Sequence, residues 1–414
     1  MRVLFISNFF PPARPGGYTQ WCEEVAELLI ARGHTVAVLT SNYELSKCSS
    51  SDKHIYRQLH LDGDLFYYDI WHFFLKRPVQ IKQNIQIVQK AIQDFSPDIV
   101  FVWGMWALSK RIAWAAEQIS KGRVVYYISD YWPIREDFHR QYWQLPARHK
   151  ISRFVKGILK PFAERSIAKE YMFMPRFENV ICVSAAVRDI LQSQSQVFSQ
   201  ARVIHGGTRM SFYTADAPKQ FARDVTKVTL LYAGQIVEHK GVHTLVEAID
   251  KLVNQDHVIN IALTIVGSGH PDYEKRIIDM INQANLSSFV QIRPAVPKNE
   301  MVKVLDEHEI LIFPSIYEEP LARMTQEAML AGLVVVGTTT GGTKEMLRDG
   351  FNGLTFEAAN AAQLADKILF LLKNKNLLPQ LSEAGRKTIV EHFALDRMVD
   401  EIESYLMQVE EKAR

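Results

Sequence analysis

Cysteine is scarce in this chain: three in 414 residues, Cys22, Cys48 and Cys182, with no Cys-x-x-Cys pair. That spacing excludes a zinc ribbon and a disulfide framework and suits a reducing, cytoplasmic compartment. Long apolar runs are missing too. The longest, Ile99 to Leu108, is half of the ~20 residues a membrane span needs, so no bilayer crossing is expected. The opening Arg2-Val3-Leu4-Phe5-Ile6 is too short for a signal-peptide core, and no small-residue cleavage site follows. Neither sign of charge dominates. Lys and Arg number 48 against 46 Asp and Glu, a formal +2, which argues against a nucleic-acid-binding polycation.

What is present is apolar material, 47% of residues, enough for packed cores, and a length that favours two domains over one. Val3 to Ser7 reads as a strand, followed by a loop with Pro11, Pro12, Pro15, Gly16 and Gly17. Trp21, Val25, Leu28 and Leu29 then recur at helical spacing up to Gly33, and Thr35 to Thr40 is β-rich. This is a βαβ unit, which implies parallel strands. Short apolar runs continue at 98–103, 123–128, 179–183 and 202–204. A polar stretch from Arg209 to Asp224 reads as a linker, and the rhythm restarts at 228–233, 261–266, 289–292, 310–313 and 333–336. The expected architecture is α/β, two Rossmann-like doubly wound domains facing one another. Met398, Val399, Ile402, Tyr405, Leu406 and Val409 share one face of a last helix, expected to cross back to the first domain. The boundaries drawn are 1–208 plus about 395–414, and 209–394.

One segment carries chemistry. Pro314-Ser315 ends a strand run; Glu319 and Glu327 stand eight residues apart across the start of a helix. A helix N-terminus suits a phosphate, and carboxylates accept hydrogen bonds from sugar hydroxyls. Spacing alone equally describes an acid complementing the dipole plus a solvated helix face. The neighbouring residues change that reading: Glu327-Ala328-Met329-Leu330-Ala331-Gly332, then Val334-Val335-Val336, then Gly341-Gly342-Thr343-Lys344-Glu345. Nearly forty residues here resemble the signature of retaining glycosyltransferase family 4 (glycosyl transferases group 1), which has the GT-B fold. Gly16-Gly17 with Arg32-Gly33-His34, Gly234-Gln235 followed by Lys240-Gly241, and Gly267-Ser268-Gly269 resemble further elements of that family in the right order. The likeness spans most of the chain and is weakest between Asp52 and Lys169.

The resemblance implies roles. Lys240 matches the lysine that pairs with the donor diphosphate, Glu319 the glutamate that contacts the donor sugar, and Glu327 the one that holds the ribose. Amides around Ala322, Arg323 and Met324 would meet the phosphates, with the backbone at Gly16, Gly17, Gly234 and Gly267 close by. Asp130 matches an acceptor-side aspartate. Two positions depart from the pattern. Gln235 stands where an arginine is usual, which removes a permanent charge that Arg14, Arg293 or Arg323 could replace. Ser129 stands where a histidine precedes the aspartate, and His139 is nearby in sequence only. Gly267-Ser268-Gly269 lacks the third glycine of a dinucleotide fingerprint, and Gly341-Gly342-Thr343-Lys344 has the wrong order for a phosphate-binding Walker loop.

The segment Arg148 to Lys160 carries five basic residues and no acid, with Ile151, Phe154, Val155, Ile158 and Leu159 on a stripe. It reads either as a helix lying on an anionic membrane or as a core-facing stripe with a solvated basic face. The function expected is metal-independent transfer (EC 2.4) of a hexosyl group from a UDP-, GDP- or ADP-sugar, with retention. The acceptor is unidentified, lipid-linked or a polysaccharide precursor of the cell envelope. No resident cofactor and no nucleic acid are expected, and the location is cytoplasmic, at the inner face of the membrane. An Asp-x-Asp motif to hold a metal against the diphosphate is expected to be absent. The alternatives are a catalytically weak nucleotide-sugar-binding scaffold, which Gln235 and Ser129 motivate, and another GT-B enzyme such as an epimerase.

Overall fold

The structure is a computed structural model describing residues 1–13, 16–47, 54–65, 67–147, 149–210, 221 and 227–414. Arg14, Arg148, Cys48 and most of the expected linker lie outside the described residues. Contacts divide the chain into two compact units. The first holds Met1–Val183, Val187–Ile204 and Val399–Arg414; the second holds Ser184–Ala186 and His205–Met398.

The first unit contains strands β1 (Arg2–Ser7), β2 (Thr35–Ser41), β3 (Ile55–Leu59), β4 (Ile99–Val102), β5 (Val124–Ile128), β6 (Val180–Cys182) and β7 (Arg202–Val203). Its helices are α1 (Gly17–Ala31), α2 (Arg77–Phe95), α3 (Arg111–Ser120), α4 (Phe138–Gln144), α5 (Lys150–Glu170) and α6 (Ala185–Gln194). The strands form one parallel sheet in the order β3-β2-β1-β4-β5-β6-β7. β1 lies beside the middle strand β4, with Val3 opposite Val36 on one side and Ile99 on the other. Val3 to Ile6, Ile99 to Val102 and Val124 to Ile128 are all buried. Strands covered on both faces read as continuous apolar runs, which is why these were visible in sequence. The alternating exposed and buried residues of β3 put it at the sheet edge, and it was not expected.

The second unit repeats the plan with β8 (Val228–Ala233), β9 (Ile261–Val266), β10 (Val290–Arg293), β11 (Ile310–Phe313), β12 (Val334–Thr338) and β13 (Leu354–Phe356). Its helices are α7 (Val242–Asp250), α8 (Pro271–Gln283), α9 (Lys298–Asp306), α10 (Arg323–Leu330), α11 (Ala361–Lys373) and α12 (Leu377–His392). The parallel sheet runs β10-β9-β8-β11-β12-β13, and its strands share a core with α7, α8, α11 and α12. Both sheets are doubly wound. The chain lays strands outward on one side, then returns to the centre and builds the other side. The reversal falls between β1 and β4 in one unit and between β8 and β11 in the other. Loops diverge there, and the crevice at the carboxyl ends of the strands is where such sheets take ligands.

The last helix, α13 (Leu395–Ala413), starts in the second unit and ends in the first. Met398, Val399, Ile402, Tyr405, Leu406 and Val409 are all buried. Such burial contributes ~1.5–3 kcal/mol for each large side chain before entropy. Glu403 adds ion pairs to Arg32 and His34, both 2.6 Å. No helix among the described residues is long and apolar enough to cross a membrane.

Candidate active site

In the second unit the switch point between β8 and β11 gathers the motif residues. β8 runs out at Ala233, and Gly234 and Gln235 lead to a single 3-10 turn, Glu238–Lys240. β11 runs out at Phe313, and the loop from Pro314 to Ala322 leads into α10. Two backbone bonds tie the loops together: the amides of Ile316 and Tyr317 donate to the His239 carbonyl at 2.9 and 3.1 Å. Gly241 makes that approach possible. Its φ is +69°, and a Cβ there would run into the Pro314 carbonyl, so only glycine serves.

These loops set Lys240 against Glu319. The Lys240 Nζ donates to Glu319 Oε1 at 2.6 Å, across 79 residues of sequence. Ser315 Oγ donates to the same carboxylate oxygen. The side chain of Glu319 is 8% exposed and that of Lys240 22%. The loop is pinned from behind as well, by the Gly342 amide on the Glu319 carbonyl at 2.6 Å and the Gly341 amide on Glu318 Oε2 at 2.7 Å. The glycine pair of the Gly-Gly-x-x-Glu motif therefore supports the Glu319 loop.

α10 begins at Arg323, directly after this loop, so its positive end lies at the same place. Arg323 Nε pairs with Glu327 Oε1 at 2.9 Å, and both side chains are buried. Gln326 anchors the helix to the Gly206 carbonyl at 2.7 Å and to Thr208 Oγ1 at 2.9 Å. Gly234 and Gly267 meet at the ends of β8 and β9. The Gly234 amide donates to the Val266 carbonyl, and a Cβ on Gly267 would strike the Gly234 carbonyl. The Gln235 carbonyl accepts from the Tyr232 hydroxyl at 2.6 Å. Arg293 stands apart at the end of β10, two strands from β8, and pairs with Glu307 at 2.9 Å. Arg323, and not Arg293, is the arginine that the fold brings to the Glu319 loop.

In the first unit Gly16 and Gly17 open α1. The Gly16 amide donates to Thr19 Oγ1 at 2.8 Å. Asp130 follows β5 and accepts from the Trp132 amide at 2.9 Å. Burial pushes its carboxyl up to about 6, against the pull of that amide and of Arg135. His139 faces elsewhere: its Nδ1 lies 3.1 Å from the Tyr68 hydroxyl and its Nε2 3.4 Å from Asp62. It does not stand in for the missing histidine at Ser129. Asp62-Gly63-Asp64 does have Asp-x-Asp spacing, which the sequence reading passed over. Asp62 is engaged by Arg77 at 2.6 Å. Burial would raise its carboxyl, but Arg77 and His139 outweigh burial and hold it at about 2.

The basic segment departs from both readings at Lys156. Lys156 is buried and its ammonium donates to the carbonyls of Tyr142 and Leu145, so it belongs to no basic surface. Phe154 and Ile158, expected to face either lipid or core, are 71% and 54% exposed, and Phe162 on the same face is 65% exposed.

The comparisons agree with this architecture. The family model described as Glycosyltransferase Family 4 matches residues 15–212, and the one described as Glycosyl transferases group 1 matches 214–388. An uncharacterized glycosyltransferase of Methanocaldococcus jannaschii is 22% identical over 97% of this chain and 96% of its own length. A D-inositol 3-phosphate glycosyltransferase of Arthrobacter is 32% identical over 54% of this chain and 56% of its own. Against that relative, and several others, the chain matches about half of their length. Among solved structures, Anabaena HepE in complex with UDP-glucose superposes with a TM-score of 0.72 at 17% identity, covering 99% of this chain and 100% of that one. A glycosyltransferase from Rickettsia africae gives 0.71 at 19%, covering 99% and 98%. With two family models in tandem over nearly its whole length, and the paired α/β units of the GT-B fold, this chain is a member of glycosyltransferase family 4, the glycosyl transferases group 1.

Proposed function

We propose that this glycosyltransferase moves a sugar from a nucleoside-diphosphate sugar, held by the second unit, to an acceptor held by the first, with retention of anomeric configuration. The single observation that carries this reading is the meeting of Lys240, Glu319 and the start of α10 at one switch point. A leaving diphosphate gathers negative charge. A fixed ammonium and a helix N-terminus in a largely water-poor loop stabilise that charge as it forms. Glu319 is placed to accept hydrogen bonds from the donor sugar once the diphosphate draws Lys240 away. The donor in the Anabaena complex is UDP-glucose, which makes a UDP-sugar the first to try.

No residue of the Glu319 loop is placed as a covalent nucleophile in this proposal. Transfer proceeds on one face of the sugar, with the departing phosphate oxygen taking the proton of the acceptor hydroxyl. Lys240 and α10 supply the charge stabilisation, so chelators should leave the rate unchanged. The test is nucleoside diphosphate release from UDP-, GDP- and ADP-sugars. Turnover that ignores Lys240→Ala and Glu319→Ala contradicts this site.

The acceptor in this proposal is lipid-linked and met at an anionic membrane surface. Support comes from α5, where Phe154, Ile158, Phe162, Arg165 and Lys169 recur at spacings of four, four, three and four, and all are exposed. An apolar row continuous with basic residues suits the boundary between headgroups and acyl chains. The relative from Rhizobium meliloti is a lipopolysaccharide core biosynthesis enzyme, 25% identical over 54% of this chain.

A further inference from the structure

Lys240 ends the 3-10 turn Glu238–Lys240, and Gly241 and then α7 follow it directly. The first four amides of a helix have no partner inside it, and a Ser, Thr, Asp or Asn at the N-cap ordinarily takes one of them. The N-cap of α7 is Gly241, which offers no side chain. Its φ of +69° and the Pro314 carbonyl against its Cβ position leave room for glycine only. The close approach of the two loops therefore deprives α7 of a cap of its own.

A residue of the neighbouring helix takes the place of that cap. Tyr273, in the first turn of α8, sets its hydroxyl 3.2 Å from the His243 amide and 2.7 Å from Nδ1 of the same histidine. The amide can only donate, so the phenolic oxygen accepts from it. The hydroxyl hydrogen then goes to Nδ1, which is bare in the neutral imidazole that carries its hydrogen on Nε2. The surroundings favour both neutral forms. Burial pushes the His243 imidazole below its ordinary 6.5, helped by Arg276 and opposed by Glu247 and Glu238. Burial pushes the Tyr273 phenol up, so it keeps the hydrogen it donates. Tyr273 is 8% exposed and packs in one core with Val242 and Ile277, which fixes its ring. Arg276 of α8 pairs with Glu238 at 3.2 Å, but an exposed pair adds little. The Lys240 turn is thus held from two sides. The loop after β11 grips the His239 carbonyl, and the Tyr273 hydroxyl grips the start of α7.

We propose that Tyr273 is a positioning residue for Lys240: by capping α7 from the neighbouring helix it fixes the turn that sets the ammonium against Glu319. The inference rests on the transferase reading above, in which that ammonium stabilises the leaving diphosphate. Two arms test it on the full chain. Tyr273→Phe keeps the ring and removes the hydroxyl, so hydrogen exchange at the His243 amide should speed up about five- to tenfold. Unchanged exchange overturns the proposal. The second arm measures nucleoside diphosphate release from UDP-, GDP- and ADP-glucose by the parent, Tyr273→Phe, Lys240→Ala and the double variant. Tyr273→Phe should lower kcat about five- to tenfold in the parent. In the Lys240→Ala background it should lower kcat by about twofold at most, because the group it positions is gone. A hydroxyl that only stabilises the fold would act alike in both backgrounds. Equal losses, or no loss in the single variant, overturn the proposal. Should Tyr273→Phe fail to fold, the half-buried His243 carries the test. His243→Ala removes the acceptor of the hydroxyl, and the same loss confined to the Lys240 background is expected. A Lys240→Ala enzyme at full rate, or a parent that turns over none of the three donors, sinks the transferase reading instead, and the exchange arm still decides whether Tyr273 caps α7.

Discussion

Lys240 and Glu319 hold one another at 2.6 Å. Each is the partner the other needs for a largely buried charge, since an uncompensated one would be expensive. In the proposed function the donor diphosphate replaces one of these contacts.

Removing the ammonium removes charge stabilisation at the leaving group. Lys240→Ala should lower nucleoside diphosphate release from the working donor by about 10²–10³-fold, the usual cost of losing one such donor. Glu319→Gln should weaken donor binding more than it lowers the maximal rate. A full-rate Lys240→Ala enzyme would refute the site.

Arg323 and Glu327 are both buried, so breaking their pair from one side is predicted to hurt stability. Arg323→Met leaves the Glu327 carboxylate alone and should cost about 3–5 kcal/mol, read as a lowered midpoint in urea. The double change Arg323→Met with Glu327→Gln should recover part of that stability while donor affinity stays low. Equal affinity in the double variant would show that Glu327 does not touch the donor.

Asp130 supplies a pH signature. Its folded carboxyl sits at about 6, above the ordinary 3.8, so burial favours the protonated form. The stability it contributes is whole below pH ~3.8 and is lost as pH rises through 6. Asp130→Asn should therefore stabilise the protein at pH 8, by about 3 kcal/mol, and hardly at all at pH 4. Thermal melts across that range check the sign; a variant less stable than the parent at pH 8 contradicts it.

Gly241 tests the backbone route to the site. Gly241→Ala combines a positive φ with a collision against the Pro314 carbonyl and should cost more than the ~1 kcal/mol of an ordinary glycine replacement. Because Lys240 is adjacent, donor affinity should fall too. The matched control is Gly350→Ala, also at positive φ but with open space around its Cβ, which should be milder and leave donor affinity intact.

Membrane contact is read by flotation with vesicles of mixed neutral and anionic lipid. Phe154→Ser with Phe162→Ser should abolish binding, and Arg165→Glu should weaken it in a salt-sensitive way. Charge reversal at Lys156 is not a test of docking, since its ammonium is an internal ligand for two carbonyls. Binding that survives the double serine change removes α5 from the interface.

Several strands were legible before any coordinates: 228–233, 261–266 and 310–313 match β8, β9 and β11 residue for residue. They are central or nearly so in their sheet and largely buried, so their runs are apolar but for Thr229 and Thr264. β3 and β13 lie at sheet edges, where half-exposed or very short runs leave little pattern to read. In α5 the sequence left the apolar stripe facing either lipid or core; Phe154 and Ile158 are exposed, and Lys156, expected on the basic face, is buried. Helical periodicity tells which residues share a face and not which face meets the core, and two carbonyls of a neighbouring segment drew Lys156 inward.

By itself the sequence determined the repeated α/β plan, the amphipathic last helix and the residue types of the proposed donor site, because local periodicity and motif order are written along the chain. Only the tertiary structure decided which of those groups meet. Lys240 and Glu319, 79 residues apart, touch because the sheet reverses direction between β8 and β11 and a glycine lets two loops close on each other. The choice of Arg323 over Arg293 has the same origin. Proximity across a parallel sheet depends on strand order, and strand order leaves no periodic trace in the residues that exploit it.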